Sequence, residues 1–348
     1  MVKNRIVDEI TVFDNQNYDE TARLPPALED APQIPEKDPG LDVVDKSRLR
    51  LHDNPIYNRG TAPMSDTPTV RLDADGRPVG FIDHPANFET ITFEAIEENI
   101  GLLTLNRPEK LNAFDERMIR EIRSVIWKVN FDEAIRVLII TGAGRGFCSG
   151  RDILGLDYEN NLPSPQYRAY VRANHEMLDD LESMEKPVIS MVNGICAGGG
   201  VEIAIASDFR TAAESVEFVL TENNIGVIPA SGAASRMIQM IGIGRLKEMM
   251  MTTQPVDAAT GEQWGLVNRV FSADDLLEGT LNFARILVDR APLALGMAKH
   301  VINTCQNTDT ETGRLIERLG QSILIQSEDS REGNAAFREK RKPDWKGR

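Results

Sequence analysis

Alternation of apolar and polar positions becomes regular near Glu89. ETITFEAIEENIGLLTLN alternates on either side of Glu98-Asn99, which predicts a β-hairpin turning there. DERMIREIRSVIWKVN follows, with Met118, Ile119, Ile122, Val125, Ile126 and Val129 at helical spacing and Asp115 placed to cap the first turn. RVLIITG predicts a short buried strand that runs into the glycine-rich loop GAGRGFCSGRD. An amphipathic helix is expected from about Pro165 to Met184. PVISMVNG then predicts a second buried strand, ending at Gly198-Gly199-Gly200 and a short segment, VEIAIA, that is apolar except for Glu202. Strand, glycine loop and helix recur, which predicts a layered α/β fold. Beyond about Ala273 the pattern is helical as far as the basic end FREKRKPDWKGR.

Residues 1–88 break this regularity. They hold ten of the 18 prolines, and pieces such as ARLPPALEDAPQIPEKDPG sustain neither a helix nor a central strand. We read an extended, acidic, proline-rich N-terminal arm over 1–88, a core carrying the site over 89–272, and a helical region over 273–348. The 348 residues suffice for a large core. The net charge of −15 argues against a nucleic-acid surface, where phosphates call for excess Lys and Arg. Cys148, Cys196 and Cys305 are scattered, with no CxxC or Cys/His cluster, so neither a disulfide framework nor a zinc site is expected. No apolar run approaches a membrane span. The expectation is a cytoplasmic chain with no metal.

Two buried strands thus end in glycine loops, and such strand ends are where α/β sheets bind ligands. A glycine turn opening a helix presents N–H groups at the positive end of a dipole. Two N–H groups converging on a carbonyl oxygen would stabilise an enolate. Glu202 falls in the first turn of a helix apolar on all sides, a costly place for a carboxylate without a role or a partner. Glu222 lies in the polar stretch TENNIG, where a surface carboxylate is the default. Neither the dinucleotide nor the P-loop signature occurs. His52, His84, His175 and His300 are dispersed and read as structural or surface residues, and the Arg151 side chain reads as solvated. Arg338, Lys340, Arg341 and Lys342 form the dense basic cluster, read as a solvated tail or a phosphate contact.

From Glu89 to Arg348 the chain resembles the crotonase (enoyl-CoA hydratase/isomerase) superfamily. The resemblance is carried by NRPEKLNAF, GRGFCSGRDI, KPVISMVNGICAGGGVEIAIASDFRTA, IGVIPASGAASRMIQMIG and SREGNAAFREKRKPDWKG, in the family's order. It implies a ββα-spiral core, C-terminal helices that build trimers or hexamers, and an acyl-coenzyme A substrate, with no separate cofactor. It places the two oxyanion-hole N–H groups on Arg151, just after Gly150, and on Gly199, beside Gly198. The two hydratase glutamates fall on Glu202 and Glu222. Coenzyme A contacts fall near Lys110 and Leu111, near Asp152 and Ile153, and, from a neighbouring subunit, on Lys340.

The sequence departs from the family at Thr221, where many hydratases have proline, at the polar pair Asn223-Asn224, and at Arg151, where a small residue is common. Ala230 stands near the nucleophilic aspartate of related aroyl-CoA dehalogenases, which argues against that chemistry. The leading expectation is reversible syn hydration of a 2-enoyl-CoA. Double-bond isomerisation, or C–C hydrolysis or retro-aldol cleavage of a cyclic or β-oxo acyl-CoA, would use the same oxyanion hole. A non-catalytic acyl-CoA-binding scaffold would not need the glutamate pair.

Overall fold

The computed structural model describes residues 87–152 and 161–348, so all but the last two residues of the N-terminal arm expected over 1–88, and the site residue Ile153, lie outside the described residues. The predicted hairpin forms: β1 (Ile91–Glu97) and β2 (Asn99–Leu105) pair antiparallel about Glu98. Helix α1 (Glu116–Phe131) is capped by Asp115, whose side chain accepts from the Met118 amide. Its apolar stripe, Met118 through Val129, is buried as the spacing required.

From there the chain winds as a spiral between two sheets. β3 (Ile135–Gly142) lies in the first sheet, and β4 (Gly146–Cys148) crosses into the second before α2 (Ser164–Ser183) returns. The next turn is β5 (Val188–Val192), β6 (Ile195–Ala197) and α3 (Gly199–Ala206). A third is β7 (Phe209–Ala213), β8 (Glu217–Val219), a 3-10 turn at Glu222–Ile225 and α4 (Ala233–Ile241). After α5 (Ile243–Thr252), β9 (Val256–Asp257) and α6 (Ala258–Trp264), β10 (Arg269–Phe271) completes the first sheet. The six-stranded sheet has the order β1-β2-β3-β5-β7-β10 and is parallel after the hairpin. The second has the order β4-β6-β8-β9.

Strands β3 and β5 are apolar along most of their length because helices cover the sheet, and their side chains are buried. The C-terminal region is helical as the pattern required: α7 (Leu276–Val288), α8 (Pro292–Cys305), α9 (Thr310–Leu324) and α10 (Glu328–Glu339). Among the described residues no helix is long and apolar enough to cross a membrane.

Candidate active site

Strands β4, β6 and β8 run parallel and adjacent. The segments leaving their C-terminal ends therefore meet: Ser149–Asp152, Gly198–Glu202 and Leu220–Glu222. The Gly198 amide donates to the Val219 carbonyl at 2.8 Å, fastening the second of these to the third. Gly150 sits at φ +101°, and a Cβ there would lie 3.1 Å from both the Ala197 oxygen and the Gly199 nitrogen. Only glycine allows that approach at that φ without strain. Phe114 bridges Arg151 from the other side: its amide donates to the Gly150 oxygen at 2.9 Å, and its oxygen accepts from the Asp152 amide at 2.8 Å. In a parallel bridge this turns the Arg151 amide away from Phe114. A Cβ placed on Gly199 would lie 3.6 Å from the Arg151 nitrogen. Gly199 opens α3, so its N–H has no acceptor within the helix and stands at the positive end of the dipole. The Arg151 and Gly199 amides thus lie near each other in residues that line one cavity.

Glu202 lies one turn into α3, a helix buried at all eight positions, and is only 3% exposed. Its Oε1 accepts from the Ser231 amide at 2.6 Å and the Ala233 amide at 3.3 Å, where the chain enters α4. Burial pushes its pKa up to about 7; the Ser231 amide opposes that shift, and the neighbouring Glu222 carboxylate adds to it. Glu222 begins the 3-10 turn, with its Oε1 against Gly198, where a Cβ would come within 3.0 Å. Its Oε2 is buried without a hydrogen-bond partner, and burial raises this carboxyl too. TENNIG therefore carries a half-buried acid rather than the surface carboxylate that is the default in a polar loop. Cys148 stands behind the site, its thiol pushed up to about 12 by burial, so it is no nucleophile at neutral pH.

These groups line a cavity of about 720 Å³ that runs from Lys110, Ser149 and Asp152 past Phe114, Gly199 and both glutamates to α2 and the 225–231 loop. Arg151, Gly150 and Gly198 line it as well. The Arg151 side chain is not solvated as expected. It donates to Glu116 Oε1 at 2.9 Å and to the Tyr170 hydroxyl at 2.9 Å, and is 19% exposed, because α2 and the start of α1 close over it. Lys110 and Arg107 both pair with Asp152 Oδ2 at 2.8 Å. Leu111 sits behind that pair with its oxygen accepting from the Ser149 amide, so NRPEKLNAF lies along FCSGRD. Lys340 caps α10 at φ 56° and does not line this cavity.

Sequence reasoning passed over Ser231, Ala233 and Phe114. The first two act through backbone amides, which leave no side-chain signal. His175, read as structural or surface, lines the cavity from α2.

A profile of the enoyl-CoA hydratase/isomerase family matches residues 95–348. A crotonyl-CoA hydratase of Syntrophomonas wolfei is 33% identical over 259 residues, 74% of this chain and 98% of that protein. A carnitinyl-CoA dehydratase of Proteus mirabilis is 35% identical over 251 residues, 71% of this chain and 94% of the relative. The solved structure of an enoyl-CoA hydratase from Bacillus anthracis superposes with a TM-score of 0.70 at 32% identity, covering 75% of this chain and all of that one. The two-sheet spiral with its helical C-terminal region is the fold of these hydratases.

Proposed function

From its place in the enoyl-CoA hydratase/isomerase family, to which this chain belongs, we propose that the cavity catalyses reversible syn hydration of a 2-enoyl-CoA. The observation that carries the reading is the carboxyl pair, Glu202 buried and Glu222 half-buried, each raised by burial, lining one cavity with Arg151 and Gly199. Coenzyme A enters as part of the substrate, with its carrier end towards Lys110 and Asp152. The thioester oxygen accepts from the two amides, which stabilise the enolate as charge develops. Glu202, oriented by Ser231 and Ala233, keeps its second oxygen for water and takes a proton from it as the oxygen attacks Cβ. Glu222, protonated through its unpartnered Oε2, delivers a proton to Cα. Burial raises both carboxyls and the Glu222 charge raises Glu202 further, which favours one proton on the pair, the state that this chemistry requires.

The test is turnover of a panel of 2-enoyl-CoAs scored by product mass, with Glu202→Gln and Glu222→Gln alongside. Addition of one water by the wild type and its loss in both variants supports the assignment; wild-type turnover in both variants overturns it.

One observation favours a second reading. Glu202 is tied to two amides whereas Glu222 has an oxygen to spare, and a double-bond isomerase needs only one base. Full activity of Glu202→Gln on a 3-enoyl-CoA would select that reading. For assembly we propose the homotrimer, or dimer of trimers, expected of the family. Leu315, Leu319 and Ile323 repeat at helical spacing on α9 and are exposed, as is Ile302 on α8. Lys340 would then act on a neighbour's coenzyme A.

A further inference from the structure

His175 does not belong to the machinery described above, yet it faces the same space. Tyr167, Val171, His175 and Leu178 fall on one face of α2, and all four line the cavity. The surroundings of that face are largely apolar: Phe114, Met177, Ile225, Val227 and Ile228. Among the described residues the imidazole makes no hydrogen bond or ion pair. The half-buried ring lines the cavity with its hydrogen-bonding nitrogens open to a ligand, which can supply the partner the protein does not.

Its position along the cavity follows from what its helix pairs with. Burial lowers its pKa, Asp179 opposes that shift, and Arg236 and Arg151 add to it. Arg236 donates to the Ser231 oxygen, and the Ser231 amide holds Glu202. Arg151 follows the oxyanion glycine. Asp179, one turn on from His175 in α2, pairs with Arg236 at 2.9 Å, so this part of α2 lies towards the segment that holds Glu202, where the proposed reaction puts the acyl group. The ring stays neutral at neutral pH, offering one donor and one acceptor.

We infer that His175 reads an oxygen function on the acyl group, so that the preferred substrates are 2-enoyl-CoAs carrying a hydroxyl or keto oxygen beyond the reacting double bond. This deepens the hydratase reading and rests on it. His175 is a specificity residue: it contacts the acyl group and takes no part in the proton transfers at Cα and Cβ. A wall built to hydrogen-bond a substrate oxygen discriminates against the analogue that lacks it, because its own polar group is then left unpaired.

The experiment compares kcat/KM for straight-chain 2-enoyl-CoAs with that for chain-matched analogues carrying a hydroxyl or keto group at the carbons beyond Cβ. The wild type should favour at least one oxygenated member by about tenfold or more. His175→Leu should bring that ratio close to one, and His175→Asn, which keeps a donor and an acceptor, should restore a preference. A wild-type ratio at or below one for every pair overturns the inference, whether or not the variants fold, and leaves the hydratase reading intact. A ratio that His175→Leu leaves unchanged also overturns it. Absence of water addition to every substrate refutes the hydratase reading itself, and the inference falls with it.

Discussion

Replacing Glu202 by glutamine should slow the enzyme and stabilise it in one step. The variant keeps shape and keeps a carbonyl oxygen to accept from Ser231 and Ala233. It removes the charge and the exchangeable proton. Loss of one acid/base group typically costs 10²–10⁴ in rate, so kcat should fall by about that range. The stability effect follows from the raised pKa. A carboxyl at 4.5 in the unfolded chain and about 7 in the folded one binds its proton more tightly when folded. Stability is then fullest below pH 4.5 and is lost as pH rises through 7. Across that window the loss approaches about 3 kcal/mol, since each unit is worth about 1.4 kcal/mol. Glu202 is almost wholly buried, so solvent screening takes little from it.

The glutamine variant carries no such loss. Its advantage over the wild type should be near zero at pH 4 and grow to as much as about 3 kcal/mol by pH 8. Urea unfolding at a series of pH values measures this, provided the slopes agree between the two proteins. A stability difference that does not vary with pH would refute the argument that burial and Glu222 hold this carboxyl high. So would a variant less stable than the wild type at pH 8. A rate within about tenfold of wild type would refute the catalytic half.

Other outcomes follow from the same geometry. Gly199→Ala would bring a Cβ to 2.7 Å from the Phe114 ring and shift the amide beside Arg151. By analogy with the loss of one oxyanion donor, kcat should fall by about 10²–10³, as steady-state kinetics would show. Because the carboxyl pair must hold one proton, kcat/KM of the wild type should decline at high pH as both carboxyls ionise, and Glu222→Gln should remove or displace that limb. Asp115→Ala removes the α1 cap and should cost about 1 kcal/mol in denaturant unfolding.

How much of this was legible from sequence depended on whether the cause was local. The β1–β2 hairpin, α1 with its Asp115 cap and the buried α3 each follow from a pattern within one segment, and each is found where that pattern put it. The second sheet was not foreseen. Strands such as Gly146–Cys148 and Ile195–Ala197 are three residues long, too short to show a period, and exist because they pair with each other. Yet that sheet aligns the oxyanion loop, the triple glycine and Glu222. The buried setting of Glu202 was readable from its apolar neighbours, whereas the clamp on it comes from the Ser231 and Ala233 amides, which no side chain announces. Glu222 looked like a surface acid because its burial comes from the Gly198 turn packed against it, twenty-four residues away in sequence. The Arg151 side chain was misread because its surroundings are set by how α2 lies across the loops, not by residues next to it in the chain.

The claim that two carboxyls and two backbone amides form one hydrating site is tested most directly by isotope. Purified protein is incubated with a 2-enoyl-CoA in ¹⁸O-labelled water, and the thioester product is analysed by mass. The wild type should yield a hydroxyacyl-CoA with one labelled oxygen at Cβ, and the Glu202→Gln, Glu222→Gln double variant should yield none above the uncatalysed background. Labelled product formed by the double variant at the wild-type rate would contradict the account.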